Sequence, residues 1–402
     1  MEKPKTLTVT LETVTPLFLG GADPRGAPEL RAPAFRGALR YWLRAALGGA
    51  VGDTAENLRK LHVCESAVFG STDEKTGGAS AVTIRLRTAA QPTSKIYEKQ
   101  KPVFFNNRRQ PTGRDYLYWS MGESGSQQRG NYQPPKQFYA PGASFDLILS
   151  ERPGVKDTEQ RFGQAVAALW LLVHFGGIGS RSRRTAGSLS VRGHVEAEGL
   201  TFTLSAGNVT QATAQLSAGL SMVRNQFAAL GHADAKALSA FDLLSPTVCR
   251  LWVVGMWHSW EGAVEAMGSA IRDFRTYREP DHKNVSKWLA GQAIPTVERS
   301  VFGLPLPYRY SNGGPSGTVQ GRVKPPTLDR RASPLWLKVS KTHNGNYFGV
   351  ATLFKAAFLP EGEKLYIRTK GMPPPIAPPT NYALIEEFIA KAFPGRSEIF
   401  YA

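Results

Sequence analysis

Residues 158–195 read TEQRFGQAVAALWLLVHFGGIGSRSRRTAGSLSVRGHV. Val166, Leu169, Trp170 and Val173 recur at helical spacing, which predicts a helix over 158–175. A loop of glycines and arginines follows at 176–187, and a strand is predicted over 188–195. Reading outward toward the N-terminus, Leu7, Val9 and Leu11 alternate with threonines, the period of a half-buried strand. That strand runs into a Gly/Pro-rich loop that reaches Pro33. Phe35, Leu39, Trp42, Leu43, Ala46 and Leu47 predict a helix over 34–47, with Gly48-Gly49 as its stop. Further strands are predicted over 81–86 and 144–149. The order strand, helix, strand, strand, helix, strand is that of a ferredoxin-like domain.

Residues 88–142 interrupt this order. They are polar, rich in Gly, Pro and Gln, and dotted with aromatics, and they read as an inserted loop or hairpin rather than a core element. The second half repeats the scheme loosely. Strands are predicted over 248–257, 335–339 and 347–358, with helices over 261–277 and 382–393. Residues 205–245 are Ala- and Ser-rich and read as helical or linker. The expected division is 1–200 for a first domain carrying the 88–142 insertion, 201–245 for a helical or linker segment, and 246–402 for a second, divergent domain. An internal echo supports duplication: Glu65-Ser66-Ala67-Val68-Phe69-Gly70 follows the first basic helix, and Glu298-Arg299-Ser300-Val301-Phe302-Gly303 follows the basic helix of the second half.

The chain of 402 residues carries 49 Lys and Arg against 32 Asp and Glu, a net charge of +17. Residues 1–200 hold 27 basic and 18 acidic residues and 201–402 hold 22 and 14, so the excess is shared as +9 and +8 and is no detachable tail. With 42% hydrophobic residues the chain can bury a core, which excludes a wholly disordered protein. A positive field over both halves favours an anionic partner, nucleic acid before anionic membrane or acidic protein. Cys64 and Cys249 are the only cysteines and stand far apart, which gives no zinc motif. No histidine has an HExxH-type neighbourhood, so no metal and no cofactor is expected. The longest apolar run, 165–173, is too short for a membrane helix, and no signal peptide is evident. A cytoplasmic protein without membrane contact is the expectation.

Four stretches could carry chemistry. Arg36, Arg40 and Arg44 lie four residues apart on one helix face, where like charges repel. A polyanion could offset this, or acidic neighbours elsewhere in the fold. In the glycine-rich loop, Gly177 and Gly179 would let the backbone approach a ligand, while Arg181, Ser182, Arg183 and Arg184 supply phosphate donors. The loop follows a helix instead of opening one, so it is neither a dinucleotide fingerprint nor a P-loop. In the insertion, Arg108, Arg109, Arg114 and Arg129 are interleaved with Phe104, Phe105, Tyr116, Tyr118, Trp119 and Tyr132. These aromatics either stack bases or pack the insertion onto the domain. In the second half, Arg272, Arg275 and Arg278 share a helix face, with Arg322, Lys324, Arg330 and Arg331 in a loop; a solvated face is the favoured reading there. Catalytic candidates are thin. Asp23 reads first as a turn residue, and His174, at the end of a helix, as a packed or capping histidine.

Taken together, the strand ending Thr15-Pro16-Leu17-Phe18-Leu19-Gly20-Gly21, the helix Pro33-Ala34-Phe35-Arg36-Gly37-Ala38-Leu39-Arg40-Tyr41-Trp42-Leu43-Arg44, the 65–70 element and the 176–187 loop resemble the RAMP superfamily of CRISPR proteins. More narrowly, they look like the first-numbered RAMP subunits of type III-B effectors. The resemblance is strong over 7–195 and faint over 196–402. It implies an α+β fold of two tandem ferredoxin-like (RRM-like) RAMP domains packed together. It also implies a non-catalytic subunit that binds guide RNA near its 3′ region and helps bind target RNA, alongside other RAMP subunits. Arg36, Arg40, Arg44, Arg181, Arg183 and Arg184 are then the RNA-contacting candidates. Two alternatives remain at this stage: a metal-independent RAMP endoribonuclease processing guide RNA with His174 as base, and a structural subunit whose basic surface meets acidic proteins.

Overall fold

The structure, a computed structural model, describes residues 3–73, 78–105, 108–155, 157–231, 237–276, 278–310, 316–322, 330–369 and 373–401. Its first unit is built on four antiparallel strands: β1 (Thr6–Thr13), β2 (Val82–Arg87), β3 (Ser144–Glu151) and β4 (Leu189–Val191). They lie in the order β2-β3-β1-β4. Leu7 pairs with Leu149, Val9 with Leu147 and Leu11 with Phe145, so the apolar set of both strands falls on one face. Helices α1 (Ala32–Val51), α2 (Ala55–Phe69) and α3 (Thr158–Phe175) complete the unit.

A further helix, α4 (Val209–Phe227), leads to the second unit. Strand β5 (Cys249–Trp257) is followed by α5 (Trp260–Arg275), β6 (Leu335–Lys341), β7 (Tyr347–Phe354), α6 (Ala383–Ala392) and β8 (Ser397–Glu398). The order is β6-β7-β5-β8, the same permutation as in the first unit. Both halves are therefore ferredoxin-like, as expected from the sequence. The echoed hexapeptides also fall at equivalent places. Gly70 and Gly303 both have positive φ, and each abuts the segment leading into the second strand of its unit, Gly70 at Ser80 and Gly303 at Ser333.

Helix α3 is buried from Phe162 to Phe175 because it has no outer side. One core cluster joins β1, α1, α3 and α4 to Leu251, Val253, Val350 and Phe354 of the second sheet. Helices of the first unit thus pack on one face of the second sheet, whose other face meets α5 and α6. Covered on both faces, β6 and β7 are buried almost throughout, the Lys338 and Ser340 side chains of β6 included.

Four expectations need correction. Helix α1 does not stop at Gly48-Gly49; it runs on to Val51, because the two glycines admit the 243–244 segment against the helix. Helix α2, capped by Thr54 Oγ1 accepting from Asn57 N–H, was not anticipated. The strand expected over 188–195 spans only Leu189–Val191. The insertion is also more than a surface loop: Tyr97, Leu117, Tyr118 and Met121 join Phe18 in the core of the second unit. Its short helix Gly113–Leu117 docks on α5, where the Glu265 carboxylate accepts from Gly113 N–H at 2.7 Å and Arg114 N–H at 3.0 Å.

Candidate nucleic-acid interface

Arg40 and Arg44 face α2. The largely buried Glu65 carboxylate lies 3.3 Å from Arg40 Nε and 3.1 Å from Arg44 Nη1, and Arg40 also donates to the Gly70 carbonyl. The repulsion along this row is therefore offset within the chain, by one acid on the neighbouring helix. Arg36 has no such acid: its Nε is buried without a hydrogen-bond partner among the described residues. With Arg40 and Arg152 it lines a cleft beside Gly70 and Ser71.

The glycine-rich loop sits elsewhere. It packs under the first loop of the chain, with Ser180 N–H donating to Phe18 O at 2.8 Å and Gly187 N–H to Pro16 O at 2.9 Å. Gly179, at φ +83, lies against the Phe18 carbonyl, with which any Cβ would collide. At its far end the loop adds a parallel bridge to the edge of β6: Thr185 N–H donates to Leu337 O at 2.8 Å and Leu337 N–H to Arg183 O at 3.2 Å.

This geometry divides the loop arginines. Arg183 donates to Ser333 O at 2.6 Å and to the Asp242 carboxylate at 3.2 Å, and its guanidinium lies 4.6 Å from the centre of the Trp336 ring. Arg184 donates to Phe302 O at 2.9 Å. Both therefore tie the first unit to the second. Arg181 turns the other way, with φ +62, and its Nε donates to Ser120 Oγ of the insertion at 3.1 Å.

Around Arg181 the structure gathers cations that sequence reading did not group. Lys136 Nζ is 3.4 Å from Ser180 Oγ, and Arg25 is bonded to Gln133 and the Pro134 carbonyl. Burial, then the nearby Arg25, pushes the Lys136 ammonium down from its usual value. Burial also lowers Arg181, with Arg330 adding repulsion. Among the described residues none of these four cations has a carboxylate within ion-pair distance. The signal that could have found them is a basic residue in each loop at the end of the first sheet where the glycine-rich loop emerges.

The remaining candidates disperse. Tyr118 is buried and bonds Thr185, so it packs the insertion onto the domain, whereas Phe104 and Trp119 are 76% and 64% exposed. Arg114 stacks on Tyr97 and donates to Glu98 O. In the second half Arg272 is buried and bonds Asp273 and Pro111 O, and Arg278 pairs with Glu387 at 2.6 Å, so this row is not a solvated face. Lys324 and His232 lie outside the described residues, as do the side chains of Phe105, Arg108 and Arg322. Asp23 is a turn residue whose Oδ1 accepts from Arg25 N–H. His174 is buried 4.5 Å from Trp170, and burial, aided by Lys338, pushes its imidazole down to about 3. It is a core histidine, closed off from any substrate. Among the described residues no helix is long and apolar enough to cross a membrane.

Comparison with known proteins fits this arrangement. A sequence profile of the RAMP superfamily matches residues 10–190. The CRISPR system Cmr subunit Cmr1-2 of Pyrococcus furiosus is 31% identical over 194 residues, 45% of this chain and 92% of that relative. Cmr1-1 of the same organism is 27% identical over 359 residues, 89% of this chain and 90% of that relative. Among solved structures, apo Cmr1 from P. furiosus superposes with a TM-score of 0.59 at 23% identity, over 99% of each chain. A chain of the type III-B Cmr-β complex bound to cognate target RNA superposes with a TM-score of 0.53 at 12% identity, over 97% of this chain and 99% of that one.

The chain belongs to the RAMP superfamily of CRISPR proteins. Within that superfamily it is a homologue of the Cmr1 subunits.

Proposed function

We propose that the chain is an RNA-binding subunit of a cytoplasmic type III-B CRISPR ribonucleoprotein. It holds guide RNA near its 3′ region, helps bind target RNA beside other RAMP subunits, and cuts neither. The observation that carries this reading is the unpaired cation cluster of Arg25, Lys136, Arg181 and Arg330 around the glycine-rich loop. Uncompensated charge beside the exposed Gly179 and the half-buried Ser182 suits phosphates, which take contacts from cations and from N–H and hydroxyl donors. Kinship with Cmr1 subunits, and the likeness to a chain of a complex bound to target RNA, support the same partner. Within the site, Arg181, Ser182, Gly177 and Gly179 form the RNA path, Arg36 and Arg40 border a second basic cleft, and Arg44, Arg183 and Arg184 hold the scaffold that presents them. The burial of His174 speaks against the endoribonuclease alternative.

A salt titration of single-stranded RNA binding by filter retention tests this. Log affinity should fall with log salt by roughly 0.7 per phosphate contacted, and R181A or K136A should each reduce that slope. A flat salt dependence contradicts RNA binding. A defined product from repeat RNA contradicts the non-catalytic part. In the assembled complex, a photoreactive nucleotide at the 3′ end of the guide should label the glycine-rich loop more than one at the 5′ end.

A further inference from the structure

Ala34, Ala38 and Tyr41 share one face of α1, the face turned away from the arginine row. With the Gly177–Gly179 turn, Ser182 and Trp336 they bound a groove of about 260 Å³. Tyr41 and Trp336, whose ring centres lie 5.2 Å apart, make its aromatic end, and the Arg183 guanidinium lies over both rings. Small residues keep it open: alanine at two successive turns of the helix, and Gly177 in the facing loop. The loop wall mixes the apolar Ile178 with polar groups, and Leu19 and Trp42 complete the lining. Among the described residues the Ser182 hydroxyl and the N–H groups of Gly177, Gly179 and Ser182 have no hydrogen-bond partner. Next to this wall in the chain, Arg181 carries its charge to Ser120, and Lys136 Nζ lies 3.4 Å from the Ser180 hydroxyl.

We propose that this groove receives one unstacked base of a single-stranded RNA whose phosphates run over Arg181 and Lys136. The alanine face, with the Arg183 guanidinium stacked on Tyr41 and Trp336, supplies a platform for a π-system, and the loop donors meet the polar edge of the base. The volume lies below the roughly 300–1,000 Å³ of drug-sized ligand pockets, which suits a single base and not a stacked pair. An apolar peptide side chain would leave the loop donors unmet and make no use of the cations, so RNA is the occupant the charges favour. A paired base cannot leave its helix to enter without losing its partner, so duplex is disfavoured. The inference rests on the RNA-binding reading above.

The test compares a ten-nucleotide single-stranded RNA with a ribose–phosphate chain of the same length lacking bases, using the full chain. The wild type should bind the base-bearing strand roughly five- to a hundred-fold more tightly. A38L, which fills the groove from α1 at a half-exposed position, should abolish that preference and leave affinity for the abasic chain unchanged. A34L should behave alike should A38L unfold. With 5-iodouridine in the strand, photocrosslinks should map to the peptides bearing Tyr41 or Trp336. Salt-dependent binding without base preference, or a preference that both leucine variants keep in full, overturns the base site and leaves the RNA reading standing. Loss of all salt-dependent binding overturns both. Protection of the groove by an apolar peptide alone also overturns the base site.

Discussion

Arg181 and Arg183 stand two positions apart in one loop and serve different ends. In the sequence they look alike, because three arginines in four positions present the same charge and reach. What separates them is the backbone: positive φ at Arg181 and at Thr185 turns the chain twice, sending Arg181 to the insertion and Arg183 onto Trp336. R183A should therefore cost about 2–4 kcal/mol in urea unfolding, from a charged hydrogen bond to Ser333 O, the Asp242 contact and the stacked ring. R181A should change stability by under about 1 kcal/mol while lowering RNA affinity. Equal losses of stability in the two variants would sink this division. The arginine row of α1 teaches the same lesson from the other side. Its spacing was legible and so was the need for compensation, but the compensating Glu65 lies on a helix the periodicity did not reveal.

At the scale of elements, helices α1, α3, α5 and α6 and every strand of the two units but β8 were legible because each buries a continuous stripe or an alternating face; β8, two residues long, is too short to show a period. The glycine pair at 48–49 was not, since a helix stop and a close-packed helix are written with the same residue. The insertion was misread for a related reason: Tyr97, Leu117, Tyr118 and Met121 are spread through polar sequence, and only the fold collects them. The helix offers a direct contrast. Gly49 faces the Leu244 carbonyl with no room for a side chain, whereas Gly37 looks onto open space. G49A should cost about 1–3 kcal/mol through overpacking, and G37A should gain about 0.5–1 kcal/mol by restricting the unfolded chain. Thermal melts of the two variants should move in opposite directions; a neutral G49A would mean that the linker does not press on α1.

For the whole molecule, duplication could be read from the echoed hexapeptide, but which faces of the two units meet could not, because that depends on the second sheet being covered twice. One consequence is a buried ammonium. Lys338 lies in β6 between the two layers, and its Nζ donates to Leu189 O at 3.0 Å across the junction. Burial pushes it down to about 7. An unfolded chain holds that proton up to the ordinary lysine range, so above pH 7 the unfolded state binds more protons than the folded one. Stability from this group must then rise with pH from about 7 upward. Glu12, clamped by Arg192 at 2.6 Å and Lys341 at 2.5 Å, contributes at lower pH. Burial raises its carboxyl, but the two cations outweigh burial and hold it below the usual range, so its contribution is present at neutrality and lost as pH falls through the acid range. His174 acts in the same direction between about 3 and the ordinary imidazole range. The buried tyrosines and Cys249, whose protons burial retains, oppose the trend only above their own ordinary values. Between about pH 7 and 8.5 Lys338 therefore dominates. Urea midpoints of the wild type should climb across that window. K338M should raise stability at pH 7 by removing the cost of burying a charge, and its midpoints should be flat over the same window. A variant that keeps the wild-type climb would show that the ammonium is hydrated at the junction and that the two units meet less closely than their shared core implies.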